Sequence, residues 1–286
     1  MRNLKKECRM KKYVFVSVLV TAMAALAGCT SQQLVDEAFV DDTPALIDDE
    51  FVSLLEQARW GDGQAFLKLA DCYRDGKGVD RDFMGMLCMA SQADEFGGIE
   101  RMEDYLKDMP EGSDFRLIFE AIGKFENNKT EEAQSLCEQL LTNGNADGYT
   151  VRGIMAVESG DTIAGLRLIE QAASEGSSFA KFLLCFQKWV DYENLDMEKL
   201  KALSDDMPFV NLVLAKVYTG WEDEGMKDEH LAAHYFLKAD EMACLNKRGA
   251  KWLLYYHRNV SSLPLSGRDI QRIQILAGET SGVNRD

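Results

Sequence analysis

Between residues 63 and 98 the apolar positions fall into two stripes with a polar break between them. Ala65, Leu67, Leu69, Ala70 and Tyr73 make the first stripe, and Phe83, Met86, Leu87, Ala90 and Ala93 make the second. The second is spaced every three to four residues, the period of one helix face. The break is Asp75-Gly76-Lys77-Gly78-Val79, and glycine readily takes the positive φ that ends a helix. Asp82 stands where an N-cap belongs, and Gly97 closes the second stripe. The pattern predicts a helix, a tight loop and a second helix.

This unit recurs. Leu69-Ala70-Asp71-Cys72-Tyr73 returns as Leu214-Ala215-Lys216-Val217-Tyr218, 145 positions on. Ala93-Asp94-Glu95-Phe96-Gly97 returns as Ala172-Ala173-Ser174-Glu175-Gly176 after 79 positions, and as Ala239-Asp240-Glu241-Met242-Ala243 after a further 67. Both landmarks give about the same overall spacing, 145 and 146 positions, close to four units of about 36 residues, which is the length of a stacked helix pair. The third unit keeps Gly153, Gly160, Ala164, Ala172, Ala173 and Gly176 around a shortened loop. The fifth keeps Leu214, Ala215, Tyr218, Asp228, Ala232 and Ala239, with an altered loop at 220–225. Two degenerate pairs lie between these, residues 115–125 with 130–141 and residues 179–190 with 197–204. A final helix opens Arg248-Gly249-Ala250-Lys251-Trp252, with Trp in the Tyr slot. Ser266 to Leu276 reads as a capping helix, followed by a disordered tail from Gly278.

The set Leu69, Ala70, Tyr73, Gly76, Gly78, Val79, Asp82, Phe83, Ala93 and Gly97 resembles the Sel-one-like branch of the tetratricopeptide superfamily. Met86 departs from that pattern where Ala is usual, and Asp94 replaces its second Ala. The resemblance covers most of residues 50–258. It implies an all-α, right-handed superhelical solenoid of stacked helix-turn-helix repeats with a concave inner face. One such pair cannot bury its apolar side alone, so the units build a continuous core. Small residues such as Ala70, Ala93, Ala172, Ala173, Ala215 and Ala239 let neighbouring helices approach closely. Repeat proteins of this kind bind other proteins in secretion and assembly machines.

The N-terminus reads differently. Residues 1–12 carry Arg2, Lys5, Lys6, Arg9, Lys11 and Lys12, and residues 13–27 carry no charge. This is a basic segment followed by an apolar run too short to span a bilayer comfortably. The run ends in Leu26-Ala27-Gly28-Cys29, which resembles the lipobox of bacterial lipoproteins. That resemblance implies cleavage before Cys29 and transfer of a diacylglycerol to its thiol, whose two lipid chains would anchor the protein firmly. Thr30 follows where Asp would signal inner-membrane retention, so the resemblance implies an outer-membrane lipoprotein facing the periplasm. The expected organisation is a signal peptide at 1–28, an acidic flexible tether at 29–48, the repeat solenoid at 49–258, and a capping helix with tail at 259–286.

Charge narrows the partners. The whole chain has 32 basic and 48 acidic residues, a net of −16. Removing residues 1–28 leaves 26 basic and 47 acidic, a net of −21. Such a surface repels nucleic acid and favours an envelope protein with a basic patch.

Candidate chemistry is thin. Cys8 leaves with the signal and Cys29 is lipidated, so Cys72, Cys88, Cys137, Cys185 and Cys244 remain. Cys72 and Cys88 flank the loop symmetrically, so antiparallel helices bring them level; a disulfide and buried free thiols are both open readings. A secreted cysteine-rich group of Sel-one-like proteins binds penicillin, but its paired spacing is missing here. His230 and His234 lie four apart, a chelating separation, without a third ligand, and no metal or cofactor is expected. Gly76-Lys77-Gly78 lacks the strand and the Gly-Lys-Ser/Thr of a phosphate loop, and no Gly-x-Ser-x-Gly occurs. Trp252, Tyr255 and Tyr256 are read as terminal packing, with stacking on a sugar as the other reading. The expected protein is a non-enzymatic scaffold; the alternative is a cell-wall or polysaccharide binder or hydrolase, including β-lactam binding, that uses the concave face.

Overall fold

Helix capping locates the first clear pair. The Asp62 carboxylate accepts the backbone N–H groups of Gln64 and Ala65 at 2.9 and 3.3 Å, which starts helix α2 (Gly63–Asp75). Gly76 ends it in the left-handed conformation, φ +73°, with its N–H bonded to the Cys72 carbonyl at 2.8 Å. Any residue with a Cβ would be strained there. Asp82 then caps α3 (Phe83–Glu95), accepting from Met84 and Gly85 at 3.1 and 2.9 Å.

The computed structural model describes residues 49–185, 195–220, 224–260, 263 and 265–279. The signal segment, the lipobox residues Leu26, Ala27, Gly28 and Cys29, and the tether lie outside the described residues, as does the far end of the C-terminal tail. Among the described residues there are fourteen α-helices and no strand element. Besides α2 and α3 they are α1 (Asp49–Arg59), α4 (Met102–Asp108), α5 (Asp114–Glu126), α6 (Thr130–Thr142), α7 (Asp147–Glu158), α8 (Thr162–Ser174), α9 (Ser178–Leu183), α10 (Met197–Leu203), α11 (Pro208–Tyr218), α12 (Glu229–Glu241), α13 (Lys247–Asn259) and α14 (Gly267–Leu276). The fold is all-α, and helices pack in neighbouring pairs, as stacked helix-turn-helix repeats require.

The repeat is visible in hydrogen bonds as well as in sequence. The Asp82 N–H bonds to the Tyr73 carbonyl at 3.0 Å, and the Asp228 N–H to the Tyr218 carbonyl at 2.9 Å. Asp228 caps α12 through Leu231 as Asp82 caps α3. After each second helix the chain turns on a positive-φ residue, Gly97, Gly176 or Ala243. The next residue then bonds back to the small residue of the signature: Gly98 to Ala93, Ser177 to Ala172 and Cys244 to Ala239. The fifth unit thus places Ala243 (φ +56°) where the others use glycine.

The described residues gather into two compact units, one of residues 103–203 and the other of residues 49–102 with 204–279. In the first, α5 to α10 pack on their sequence neighbours and, one layer on, α5 meets α7 and α7 meets α9. Helices α6 and α8 bury limited stripes, Ala133, Cys137 and Leu140 on α6 and Gly165, Ile169 and Ala172 on α8. Helices α7 and α8 cross at glycines: a Cβ on Gly153 would lie 2.7 Å from the Gly165 carbonyl oxygen, and one on Gly165 would lie 2.6 Å from that of Gly153.

In the second unit α3 and α11 form the centre. Phe83, Met84, Met86, Leu87, Cys88, Met89, Ala90 and Ala93 are all buried on α3, and so is nearly every residue of α11. A helix that is apolar all round is enclosed on all sides. Here α3 packs on α2 before it in sequence and also on α11, far along the chain. Polar contacts join the same sequence-distant segments. The buried Arg272 guanidinium grips Asp240 through both carboxylate oxygens, Arg59 reaches the same carboxylate at 3.2 Å, and Arg272 also donates to the Arg59 carbonyl at 3.1 Å.

Three expectations change. The first stripe of α2 buries Phe66 where the pattern placed Leu67, which is only half-buried. The helix expected to run from 179 to 190 ends at Leu183, and residues 186–194 lie outside the described ones. Helix α4 was not expected at all, because its seven residues are too few to show a period.

Candidate functional site

The repeat-defining residues have gone into structure. Leu69, Ala70, Ala172, Leu214, Ala215 and Ala239 have no measurable exposure, and Tyr73 and Tyr218 are 4% and 7% exposed. Tyr73 packs edge-on against Phe51 at 5.9 Å, and Tyr218 stacks on Tyr235 at 5.7 Å. Gly76, Gly78, Gly97 and Gly176 hold positive-φ turns, Asp82 holds a cap, and Gly153 holds a helix crossing. Any binding function has to come from other positions.

The cysteines resolve differently from the pairing weighed above. Cys72 and Cys88 are both free thiols and are not joined. Cys72 lies half-exposed at the end of α2, whereas Cys88 is buried in the core beside the Cys244 thiol, which donates to the Met242 carbonyl at 3.5 Å. Level placement along antiparallel helices therefore did not bring the two sulfurs together. Cys137 and Cys185 are buried, and burial pushes their thiols up to about 11 and about 12. Such groups are poor nucleophiles.

The histidine pair sits on α12 with His234 exposed, its ring edge-on to Tyr235 at 5.2 Å. Among the described residues no group of three or more His, Cys, Asp and Glu side chains converges as a metal site would. A buried polar cluster does occur where α7 meets the start of α9. Ser177 Oγ bonds to the Asp147 carboxylate, Thr150 Oγ1 lies 3.1 Å from Ser177 Oγ and 3.3 Å from Asp147 Oδ1, and Ser177 Oγ accepts the Ala180 N–H at 2.9 Å. Its members satisfy one another and start α9, so the cluster is a cap.

Helix α13 is different. Asn246 caps it through Gly249 at 2.7 Å, and Gly249, Ala250, Leu253, Leu254 and Tyr256 face the core. On the other side Arg248, Lys251, Tyr255 and Arg258 are exposed and Trp252 is half-buried, at the three-to-four spacing of a single stripe. Tyr255 is 42% exposed, and its ring meets Trp252 edge-on at 5.4 Å. Arg258 is partly neutralised by Glu279 at 3.1 Å. Tyr256, read with its neighbours as terminal packing, is fully buried and lies beside Phe236. Burial, then the Glu229 charge, raises its hydroxyl far above the ordinary tyrosine range. The reading of this segment as packing is thus right for Tyr256 and incomplete for Tyr255 and Trp252.

The stripe combines aromatic surface with cations, and α13 carries no acidic residue in a chain that has 48. That local sign change was the available signal, and the chain's overall negative charge obscured it. Among the described residues of the unit 103–203 the exposed large apolar ones are Ile163 and Leu166, three apart on α8. Among the described residues no helix is long and apolar enough to cross a membrane. No family model matches the chain, and no curated protein or solved structure matches it either.

Proposed function

We propose that the protein is a lipid-anchored, periplasm-facing scaffold of the bacterial outer membrane that acts by binding another envelope protein. The observation that carries this reading is the stripe of exposed Arg248, Lys251 and Tyr255 with half-buried Trp252, on a helix whose opposite face is locked in the core. Trp, Tyr and Arg are the residue types that dominate binding energy at protein interfaces. Mounted on a rigid helix, they lose little conformational freedom on docking. The repeat resemblance and the order of basic segment, apolar run and lipobox support the same reading.

The acidic surface steers a partner that carries a basic patch, and added salt weakens that attraction. At α13 the sign reverses, so the segment seated there carries acidic side chains beside an apolar anchor. Crosslinking in intact cells followed by mass spectrometry is expected to recover one or a few specific proteins. Recovery should fall with added salt and fall again in Tyr255→Ala. Recovery of abundant neighbours alone, unchanged by that substitution, contradicts the docking role. Cys29→Ala is expected to abolish acylation and release the protein from membranes.

The edge-to-face pair of half-buried Trp252 and exposed Tyr255 also suits stacking on a sugar ring, which favours a cell-wall or polysaccharide ligand as the second reading. Stoichiometric binding or turnover of cell-wall fragments or β-lactams by the pure protein would favour that reading over the scaffold.

A further inference from the structure

Two thiols that lie 156 positions apart in sequence meet inside the unit of residues 49–102 and 204–279. Cys88 lies in the middle of α3 and Cys244 in the turn between α12 and α13; each is 1% exposed, and the Cys88 side chain lies against the Cys244 thiol, which donates to the Met242 carbonyl at 3.5 Å. The backbone fixes this meeting independently of the sulfurs. Gln92, one helical turn beyond Cys88 and itself buried, donates from Nε2 to the Cys244 carbonyl at 2.9 Å. On its other side the Cys244 N–H bonds to the Ala239 carbonyl at 2.7 Å, and the preceding Ala243 holds a left-handed φ of +56°. Alanine keeps that conformation only where its surroundings impose it. Cys244 also occupies the repeat position that Gly98 and Ser177 fill in the other units, so a thiol there is specific to the fifth unit. Cys72 is half-exposed on α2, and Cys137 and Cys185 belong to the unit of residues 103–203.

We propose that Cys88 and Cys244 are a redox-modification site that closes, on exposure to a small-molecule disulfide oxidant, into an intramolecular disulfide stapling α3 to the α12–α13 turn. One thiolate attacks a sulfur of oxidised glutathione and displaces one glutathione thiol. The second thiolate attacks the resulting mixed disulfide, forming the Sγ–Sγ bond and displacing the second glutathione. The protein gives up two protons and two electrons, and one glutathione disulfide becomes two thiols. The neighbouring Cys88 thiol, then burial, raises the Cys244 thiol well above its ordinary value, and both cysteines are 1% exposed, so closure proceeds through transient opening of the turn and is slow. The new bond ties the two sequence-distant halves of this unit and restricts the unfolded chain strongly. The inference stands apart from the docking role proposed for α13.

The test is to incubate the purified full chain with mixtures of oxidised and reduced glutathione, alkylate under denaturing conditions, digest with trypsin and map the peptides. The expected product joins residues 82–101 to residues 239–247, is two hydrogens lighter than the sum, and separates on reduction with dithiothreitol. Oxidation is expected to raise Tm by about 10 °C, and Cys88→Ser and Cys244→Ser each abolish the rise. Recovery of both peptides separately alkylated at every glutathione ratio, or joined to Cys72 or to any other cysteine instead, overturns the proposal. The peptide map of the unsubstituted chain decides the matter even if a serine variant fails to fold.

Discussion

The two units are built from the same kind of helix pair and hold together in different ways. In residues 103–203 helices α6 and α8 bury only three residues each, and the layer follows from packing on neighbours along the chain. In residues 49–102 and 204–279, α3 and α11 are buried all round, and Arg272, Asp240 and Arg59 tie segments about 180 and 213 positions apart. The contrast teaches that an amphipathic helix marks a layer between neighbours, whereas a helix apolar on every face marks a place where remote parts of the chain converge.

The largest expected effect tests the remote closure. Arg272→Met keeps an unbranched apolar stem and leaves the buried Asp240 with Arg59 alone, 3.2 Å away. Breaking such a buried pair from one side costs about 3–5 kcal/mol, readable as a lower urea midpoint at unchanged slope. Next comes the local unit. Gly153→Ala places a methyl group 2.6 Å from Ile169 Cγ1 and 2.7 Å from the Gly165 carbonyl, where the two helix backbones cannot yield cheaply. Overpacking of this kind costs about 1–3 kcal/mol, and thermal unfolding followed by circular dichroism measures it.

Smaller effects refine the repeat itself. Asp82→Ala removes the cap of α3 and is expected to cost about 1 kcal/mol, by the same denaturation assay. The smallest is a pH effect in the local unit. Glu126 has one carboxylate oxygen buried without a hydrogen-bond partner, and desolvation raises its carboxyl above the ordinary glutamate range. Folding therefore favours its protonated form: the group's full contribution is present below the unfolded value and is lost as pH rises through the folded one. Glu126→Gln should accordingly stabilise slightly at pH 7 and leave stability unchanged below the ordinary glutamate range. Equal stabilisation at both pH values would contradict a titration effect.

The helix pair of residues 63–98 was legible because its signals agree: Asp82 caps, Gly76 stops, and Ala70 and Ala93 pack. The capping helix was legible for the same reason, since Ser266 and Asp269 form a reciprocal cap before α14. Three features were not. Seven residues of α4 carry too little periodicity. The meeting of Cys88 with Cys244 depends on a tertiary crossing that spacing within one repeat does not encode. The cationic stripe of α13 lay hidden in a strongly negative total, because net charge averages over surfaces that partners meet one at a time. The spacing of Phe83, Met86, Leu87, Ala90 and Ala93 marked one apolar face of α3, and the burial of Met84, Cys88 and Met89 on its other sides follows from the packing of α11, which that spacing does not encode.

Hydrogen exchange read by mass spectrometry, comparing the native chain with Arg272→Met, tests the remote closure most directly. The account predicts that α1 to α3 lose amide protection together with α12 to α14, although the substitution lies in the last helix alone. If α1 to α3 keep their native protection while only α14 and its sequence neighbours exchange faster, nearest-neighbour stacking suffices and the closure is not what holds this unit together.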